Sequence, residues 1–394
     1  MKKKLEFPEK FSTEVLEPII SRNVIKNFSQ LQSKDRLAII KDLQQEPAVI
    51  KAAELIKEGE VVALPTETVY GLAANALNSR AVKKIFAAKG RPQDNPLIIH
   101  IARKSALEKL VSNQLDNNLE NLLTEFWPGP LTLIFNKKQL VPDQTSAGLK
   151  TVAIRMPSHP LFLAVIEKSG FPLAAPSANT SGYPSPTKAE HVFADLHGKI
   201  PLILDGGSCE FGLESTVVDL RKKTAVVLRP GALSREKLAA FLGEEVKIAA
   251  PGKLPKNKAA IAPGMKYRHY APEKKLYVLP VDFTGEELAS RINLQQVDRI
   301  ALITARENKI ELSSQFKKLT NKIEIKLLKV FNRQQPAELA HKLFDLLRKL
   351  DQDSKVEEIY IESVAGTGIA EALMNRIYKA AAAANDFQPG GEND

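Results

Sequence analysis

A single cysteine, Cys209, stands in 394 residues. That excludes an intrachain disulfide and any zinc or iron–sulfur site built on several thiolates. The six histidines (His100, His159, His191, His197, His269, His341) are too scattered to pair at helical or knuckle spacing, so no structural metal is expected. Long apolar runs are missing too, none approaching the roughly 18 residues that mark a membrane span. The basic start MKKKLEFPEKFSTEVL lacks the apolar core of a signal peptide. These absences predict a reduced, cytoplasmic protein without a membrane segment. There is no G-x-x-x-x-G-K-[ST] phosphate loop, no G-x-G-x-x-G turn and no Ser–His–Asp signature, and Gly366-Thr367-Gly368 is too short a signal to replace them.

What is present is ordinary globular composition, 44% hydrophobic and 26% charged, with a net charge of +10. Such a charge invites a nucleic-acid reading, so its location matters more than its sum. Residues 51–250 hold 24 basic and 20 acidic side chains, residues 251–350 hold 20 and 10, and residues 351–394 hold 3 and 9. The excess therefore lies mainly in 251–350. That block has no arginine-rich run, no zinc-finger spacing and no RNP-like aromatic strand, and it reads as a solvated basic face.

Five segments follow from the patterning. Residues 1–45 are polar and weakly helical, an N-terminal helical extension. Residues 46–249 open with a helix ending at Gly59 and the buried strand Val61–Leu64. Apolar runs then follow (LIIHI, LTLIF, TVAIRM, PLAAP, PLILD, STVVDL, AVVLRP), with helical patterns between some of them. So many strands against so few helices predict a twisted mixed α/β sheet with an open concave site, without doubly wound alternation. Residues 250–272 are Pro-rich and read as a linker, yet MKYRHY inside it carries two tyrosines, a histidine and two cations. From 273 to 384 strand and helix alternate as in a small βαβ-type, Rossmann-like domain, and 385–394 are a tail.

Four polar clusters interrupt the apolar pattern. Pro65-Thr66-Glu67-Thr68-Val69-Tyr70-Gly71 follows a buried strand, where open α/β sheets place ligands, although a Thr-capped turn is the plainer reading. Lys89-Gly90-Arg91-Pro92 with Asn95 gathers cations that suit a polyphosphate, or that answer a helix dipole. Ala175-Pro176-Ser177-Ala178-Asn179-Thr180-Ser181-Gly182 allows close approach of a phosphate to the backbone, but is also common loop composition. Arg155 and Arg229 each end an apolar run. Each needs an anionic ligand, or a salt bridge to Glu67, Asp205 or Glu214.

Taken in order, PTETVYGL, KGRPQDNPLIIHI, WPGPLTLI, TVAIRMP, APSANTSG, GLESTVVDL and VLRPG resemble the YrdC-like threonylcarbamoyl-AMP synthases. APGMKYRHYAP followed by a small α/β domain resembles the long, two-domain form of that family. The resemblance covers about residues 46–384 and leaves 1–45 without an inherited role. It implies condensation of L-threonine, bicarbonate or CO2, and ATP into threonylcarbamoyl-adenylate with release of pyrophosphate. A separate transferase complex then moves the group to tRNA. The nucleophile belongs to the substrate, which explains the missing catalytic triad.

By this resemblance Lys89, Arg91, Ser177 and Asn179 surround the phosphates, with Asn95, Ser185, Arg229, Tyr267 and Tyr270 also on ATP. Thr68, His100, Arg155, Ala175 and Ser215 hold threonine, Arg155 pairing with its carboxylate and Thr151 nearby. His100, in an apolar strand, would otherwise be a satisfied core histidine. Mg2+ accompanies ATP, held by phosphates and water more than by carboxylates. Tyr267, His269 and Tyr270 would close over the nucleotide as a lid. Two rival readings are a double-stranded RNA or tRNA-binding module, for which weak RNA contact is the minimal form, and a carbamoyl-adenylate former using carbamoyl phosphate. The zinc-finger-like modules that accompany the latter are excluded by the single cysteine.

Overall fold

The computed structural model describes residues 11–113, 116–221, 224–249, 269–305 and 318–381. They fall into two units. Gly182–Pro184 group with the residues from His269 onward, and the rest up to 249 form the first unit.

The first unit is built on one eleven-stranded sheet. From edge to edge its strands are Glu14–Leu16, Leu202–Leu204, Val62–Leu64, Gly71–Asn75, Leu173–Ala174, Ile98–His100, Thr151–Arg155, Leu131–Asn136, Thr216–Asp219, Val226–Arg229 and Lys247–Ile248. Five neighbouring pairs are parallel and five antiparallel. The sheet is thus mixed, as the sparse helices predict. Its central strands are buried along their length, which is why they read as continuous apolar runs instead of alternating ones. Helix Pro160–Ser169 is buried at every position from Pro160 to Ile166, starting at a proline and stopping at the left-handed Gly170. It packs against helices Pro47–Lys57 and Ser33–Leu43.

Three strands and one longer helix escape the pattern reading. Gly71–Asn75 (GLAAN) is made of poor strand formers and is a strand because it lies between Val62–Leu64 and Leu173–Ala174. Glu14–Leu16 and Lys247–Ile248 are short edges, each on one partner. The N-terminal extension therefore supplies an edge strand as well as helices Arg22–Asn27 and Ser33–Leu43, and it buries Phe28 completely. Helix Asn117–Phe126 is the longer helix, and its signal lies in Leu119, Leu122, Leu123 and Phe126 at helical spacing, with Asp116 capping it by accepting from the Leu119 amide.

The second unit has four strands in the order Lys275–Leu279, Glu358–Glu362, Arg299–Ala305, Glu324–Phe331, all parallel. Helices Gly285–Arg291, Pro336–Gln352 and Ile369–Ala381 alternate with them, the βαβ arrangement expected. Residues 250–268 of the linker lie outside the described residues. Among the described residues no helix is long and apolar enough to cross a membrane.

Candidate active site

Strand register assembles the first cluster. His100 lies opposite Arg155, and Arg155 lies opposite Thr132 on its other side. Thr216 pairs with Leu131, so Ser215 just before it arrives at the same sheet end. There Thr132 Oγ1 and Ser215 Oγ are 2.7 Å apart. Thr132 is itself fully buried, a polar site member that an apolar run such as LTLIF conceals.

The loop Pro65–Tyr70 closes over this row. It is not the strand-to-helix crossover loop that ligands favour in open α/β sheets. It is the turn of a hairpin, because Leu64 pairs antiparallel with Gly71. Arg155 is enclosed by it, with Nη2 2.6 Å from Glu67 Oε1, Nη1 donating to Thr68 Oγ1 at 3.0 Å and Nε donating to the Gly129 carbonyl at 3.2 Å. Both charged side chains are only 4% exposed. Of the anionic partners open to Arg155, the protein itself supplies Glu67. Thr66 must spend its hydroxyl proton on the Val69 carbonyl at 2.7 Å, so the 2.8 Å contact between Thr66 and Thr68 uses the Thr68 proton. Thr68 Oγ1 is then an acceptor towards Arg155.

His100 is buried, its Nδ1 3.2 Å from the Ile98 carbonyl and its ring against Phe162. Burial, and then the positive charge of Arg155, push its pKa down to about 3. At neutral pH it is an uncharged ring able to give or accept one hydrogen bond.

The second cluster surrounds a lysine. Helix Ser79–Lys89 ends on the left-handed Gly90, and Lys89, at 2% exposure, points into the small-residue loop. Its Nζ donates to the Ser177 and Asn179 carbonyls, both at 2.5 Å, and lies 3.3 Å from Asn179 Oδ1. Ser177 Oγ donates to that same Oδ1 at 2.5 Å. Arg91 is half-buried, Nη2 reaching the Asn95 and Pro96 carbonyls at 3.4 and 3.3 Å. Asn95 is buried, with an Oδ1 that accepts no hydrogen bond among the described residues. Backbone bonds lock this loop to the hairpin turn: Leu72 to Pro176 and Ala178 to Tyr70, both at 2.8 Å. Glycine at position 71 eases this approach, since a Cβ there would sit 3.2 Å from that of Ala175, tighter than ordinary contact.

In the third cluster Arg229 donates through Nη2 to the Ser215 carbonyl (2.9 Å) and hydroxyl (3.1 Å). Ser185 donates to Glu214 Oε1 at 2.6 Å. The backbones approach so closely that a Cβ on Gly231 would be 2.4 Å from the Glu214 carbonyl oxygen.

One expected site residue, Thr151, lies away from the cluster that holds Arg155. Thr151 begins the strand that Arg155 ends, opposite Asn136, and a rise of about 3.3 Å per residue puts it roughly 13 Å away. It does not belong to the cluster around Arg155. Tyr270 lies in the second unit, buried with φ 67°, stacked on Phe344 and beneath the Arg376 guanidinium. Tyr267 lies outside the described residues.

Comparison with known proteins fits this arrangement. Residues 54–231 match the Sua5/YciO/YrdC family, described as telomere recombination, and residues 233–382 match the C-terminal domain of threonylcarbamoyl-AMP synthase. The threonylcarbamoyl-AMP synthase of Bacillus subtilis is 45% identical over 339 residues, covering 85% of this chain and 93% of that protein. That of Schizosaccharomyces pombe is 38% identical over 363 residues, 85% of this chain and 88% of its own. The crystal structure of Pyrococcus abyssi Sua5 complexed with L-threonine superposes with a TM-score of 0.73 at 42% identity, over 85% of this chain and 94% of that one. Relatives this similar over nearly their full length leave one conclusion: the chain belongs to the Sua5/YciO/YrdC family, in the form that carries the additional C-terminal domain.

Proposed function

We propose that this protein is a threonylcarbamoyl-AMP synthase, a nucleotidyltransferase that joins L-threonine, bicarbonate or CO2, and ATP into threonylcarbamoyl-adenylate and pyrophosphate. The observation that carries the reading is the 45% identity to a threonylcarbamoyl-AMP synthase across 93% of its length. The site chemistry is compatible: it offers cations, hydroxyls and amides but no activated nucleophile. That suits a reaction in which a carbamate oxygen of the substrate attacks the α-phosphorus of ATP.

In this reading Lys89 shapes the Ser177–Asn179 loop around the phosphates and Arg91 places charge on them, with Asn95, Ser185 and Arg229 on the nucleotide. Thr68, His100, Arg155, Ala175 and Ser215 hold threonine, its carboxylate on Arg155. Among the described residues no group of three or more metal-ligating side chains gathers at Lys89 and Arg91, so Mg2+ belongs to the incoming ATP and is carried by phosphate and water. The linker with Tyr267 and Tyr270 acts as a lid that keeps water from the mixed anhydride. A tRNA-modifying transferase takes the product, and any RNA contact of this chain is secondary. The relatives do not favour the RNA-binding module as the primary activity.

The test is to incubate the protein with ATP, Mg2+, threonine and labelled bicarbonate. Threonine-dependent pyrophosphate together with a labelled adenylate is expected. Pyrophosphate release that ignores threonine would refute the assignment.

A further inference from the structure

The turn that carries Thr68 also carries a carboxylate with no task so far. Glu67 is 4% exposed, and neither of its carboxylate oxygens accepts a hydrogen bond among the described residues, although Oε1 is 2.6 Å from Arg155 Nη2. Buried carboxylates are ordinarily satisfied by several donors, so an anion held by its counter-ion alone is unusual. That counter-ion is the guanidinium assigned above to the threonine carboxylate.

A free amino acid is a zwitterion, with carboxylate and ammonium on neighbouring atoms. A buried Arg–Glu pair is its charge complement. The guanidinium can exchange Glu67 for the incoming carboxylate while the ammonium takes the vacated place at Glu67. Net charge inside the site is the same before and after, which avoids the large cost of an uncompensated buried ion.

The ammonium nitrogen cannot attack carbon until it loses a proton. His100, beside Arg155, is the obvious alternative base, but a ring with its pKa near 3 does not hold a proton at neutral pH. The remaining titratable groups that feel Glu67 are Cys209 and Glu210, both pushed up, first by burial and then by the Glu67 charge. Neither thiol nor carboxyl is a cation competing for the place of the ammonium. The Glu67 carboxylate, set directly against the ammonium, is the adjacent acceptor for its proton.

We infer that Glu67 binds the α-ammonium of the amino-acid substrate and serves as the base that takes its proton during carbamate formation. The inference rests on the placement of threonine at Arg155. Ammonium, bicarbonate and the Glu67 carboxylate become carbamate, water and the Glu67 carboxylic acid. The N–C bond forms and one C–O bond of bicarbonate breaks. Of the two protons leaving nitrogen, one departs in water and one rests on Glu67 until product release returns it to solvent.

The experiment uses the full-length protein and calorimetric titration with L-threonine and with the matching 2,3-dihydroxybutanoate, in which a hydroxyl replaces the amine. Threonine should bind tighter by roughly tenfold or more, the worth of a hydrogen bond between charged groups. Equal binding of the two acids overturns the inference. Failure of threonine itself to bind overturns the placement of threonine and the inference with it, so the two failures are distinguishable. In Glu67→Gln, turnover at neutral pH should fall by roughly a hundredfold. It should recover as the pH approaches the pKa of the threonine amine, because the substrate then arrives deprotonated. A variant with the wild-type rate and pH profile overturns the inference. Circular dichroism checks that the variant is folded; if it is not, the comparison of the two acids on the wild type decides alone.

Discussion

Lys89 and Arg91 are two residues apart and occupy different environments. Lys89 is sealed inside, its ammonium surrounded by carbonyl oxygens of the loop it supports, whereas Arg91 is half-exposed at the loop rim. Replacing Arg91 by Ala should lower kcat/KM by about 2–4 kcal/mol of transition-state stabilisation and leave the melting temperature nearly unchanged. Lys89→Met should act through the fold, because its buried acceptors lose their donor at about 1–3 kcal/mol. Turnover and thermal melts on the two variants separate these roles, and equal melts for both would refute the distinction. The histidines make a second residue-level prediction. His100 and His159 are both pushed down to about 3, chiefly by burial. Between that value and the ordinary 6.5 the unfolded chain binds protons that the folded chain refuses. Stability is therefore full above pH 6.5 and falls as pH drops towards 3, by about 1.4 kcal/mol per pH unit for each ring. Urea midpoints at descending pH should show the decline, and a flat profile would mean that the rings are charged in the folded protein.

Elements meet at this site through backbone contact as much as through side chains. The segment after strand Val226–Arg229 runs directly against Glu214–Thr216, with no room for a Cβ at Gly231. Gly231→Ala should therefore cost at least about 1–3 kcal/mol of stability by overpacking. It should also displace Arg229 from Ser215, weakening ATP binding more than threonine binding. Calorimetric titration with each ligand checks this, and equal losses would disconnect Arg229 from the nucleotide. The same closeness explains which elements were legible. Runs such as TVAIRM and STVVDL declare themselves because they are buried on both faces and rich in β-branched residues. GLAAN could not, since its strand conformation comes from its pairing, with the hairpin partner Val62–Leu64 on one side and the sequence-distant Leu173–Ala174 on the other, and Thr132 could not, since nothing in LTLIF marks which residue faces Ser215.

At the scale of the molecule, the first unit has its own extensive core and sheet, so ending the chain after residue 249 should leave a cooperatively folding fragment. If the linker closes the site, that fragment should bind threonine yet release pyrophosphate more slowly than the full chain. A fully active fragment would remove the linker and second unit from the reaction. The charge of +10 also takes its meaning at this scale: residues 51–250, which hold the site apart from the linker tyrosines, carry only +4, and their key cations point inward at carbonyls or carboxylates. The sequence by itself determined the mixed α/β class, the order of the polar motifs and the residue types that chemistry on ATP and an amino acid requires. Those are local properties, written in periodicity, composition and the presence of charge where apolar runs end. Only the tertiary structure decided that Arg155 meets Glu67 instead of Asp205 or Glu214, that Thr151 lies a strand's length from Arg155, and that Lys89 supports the loop from within. Each depends on strand order and register, which bring together residues up to some 90 positions apart and separate others only four apart.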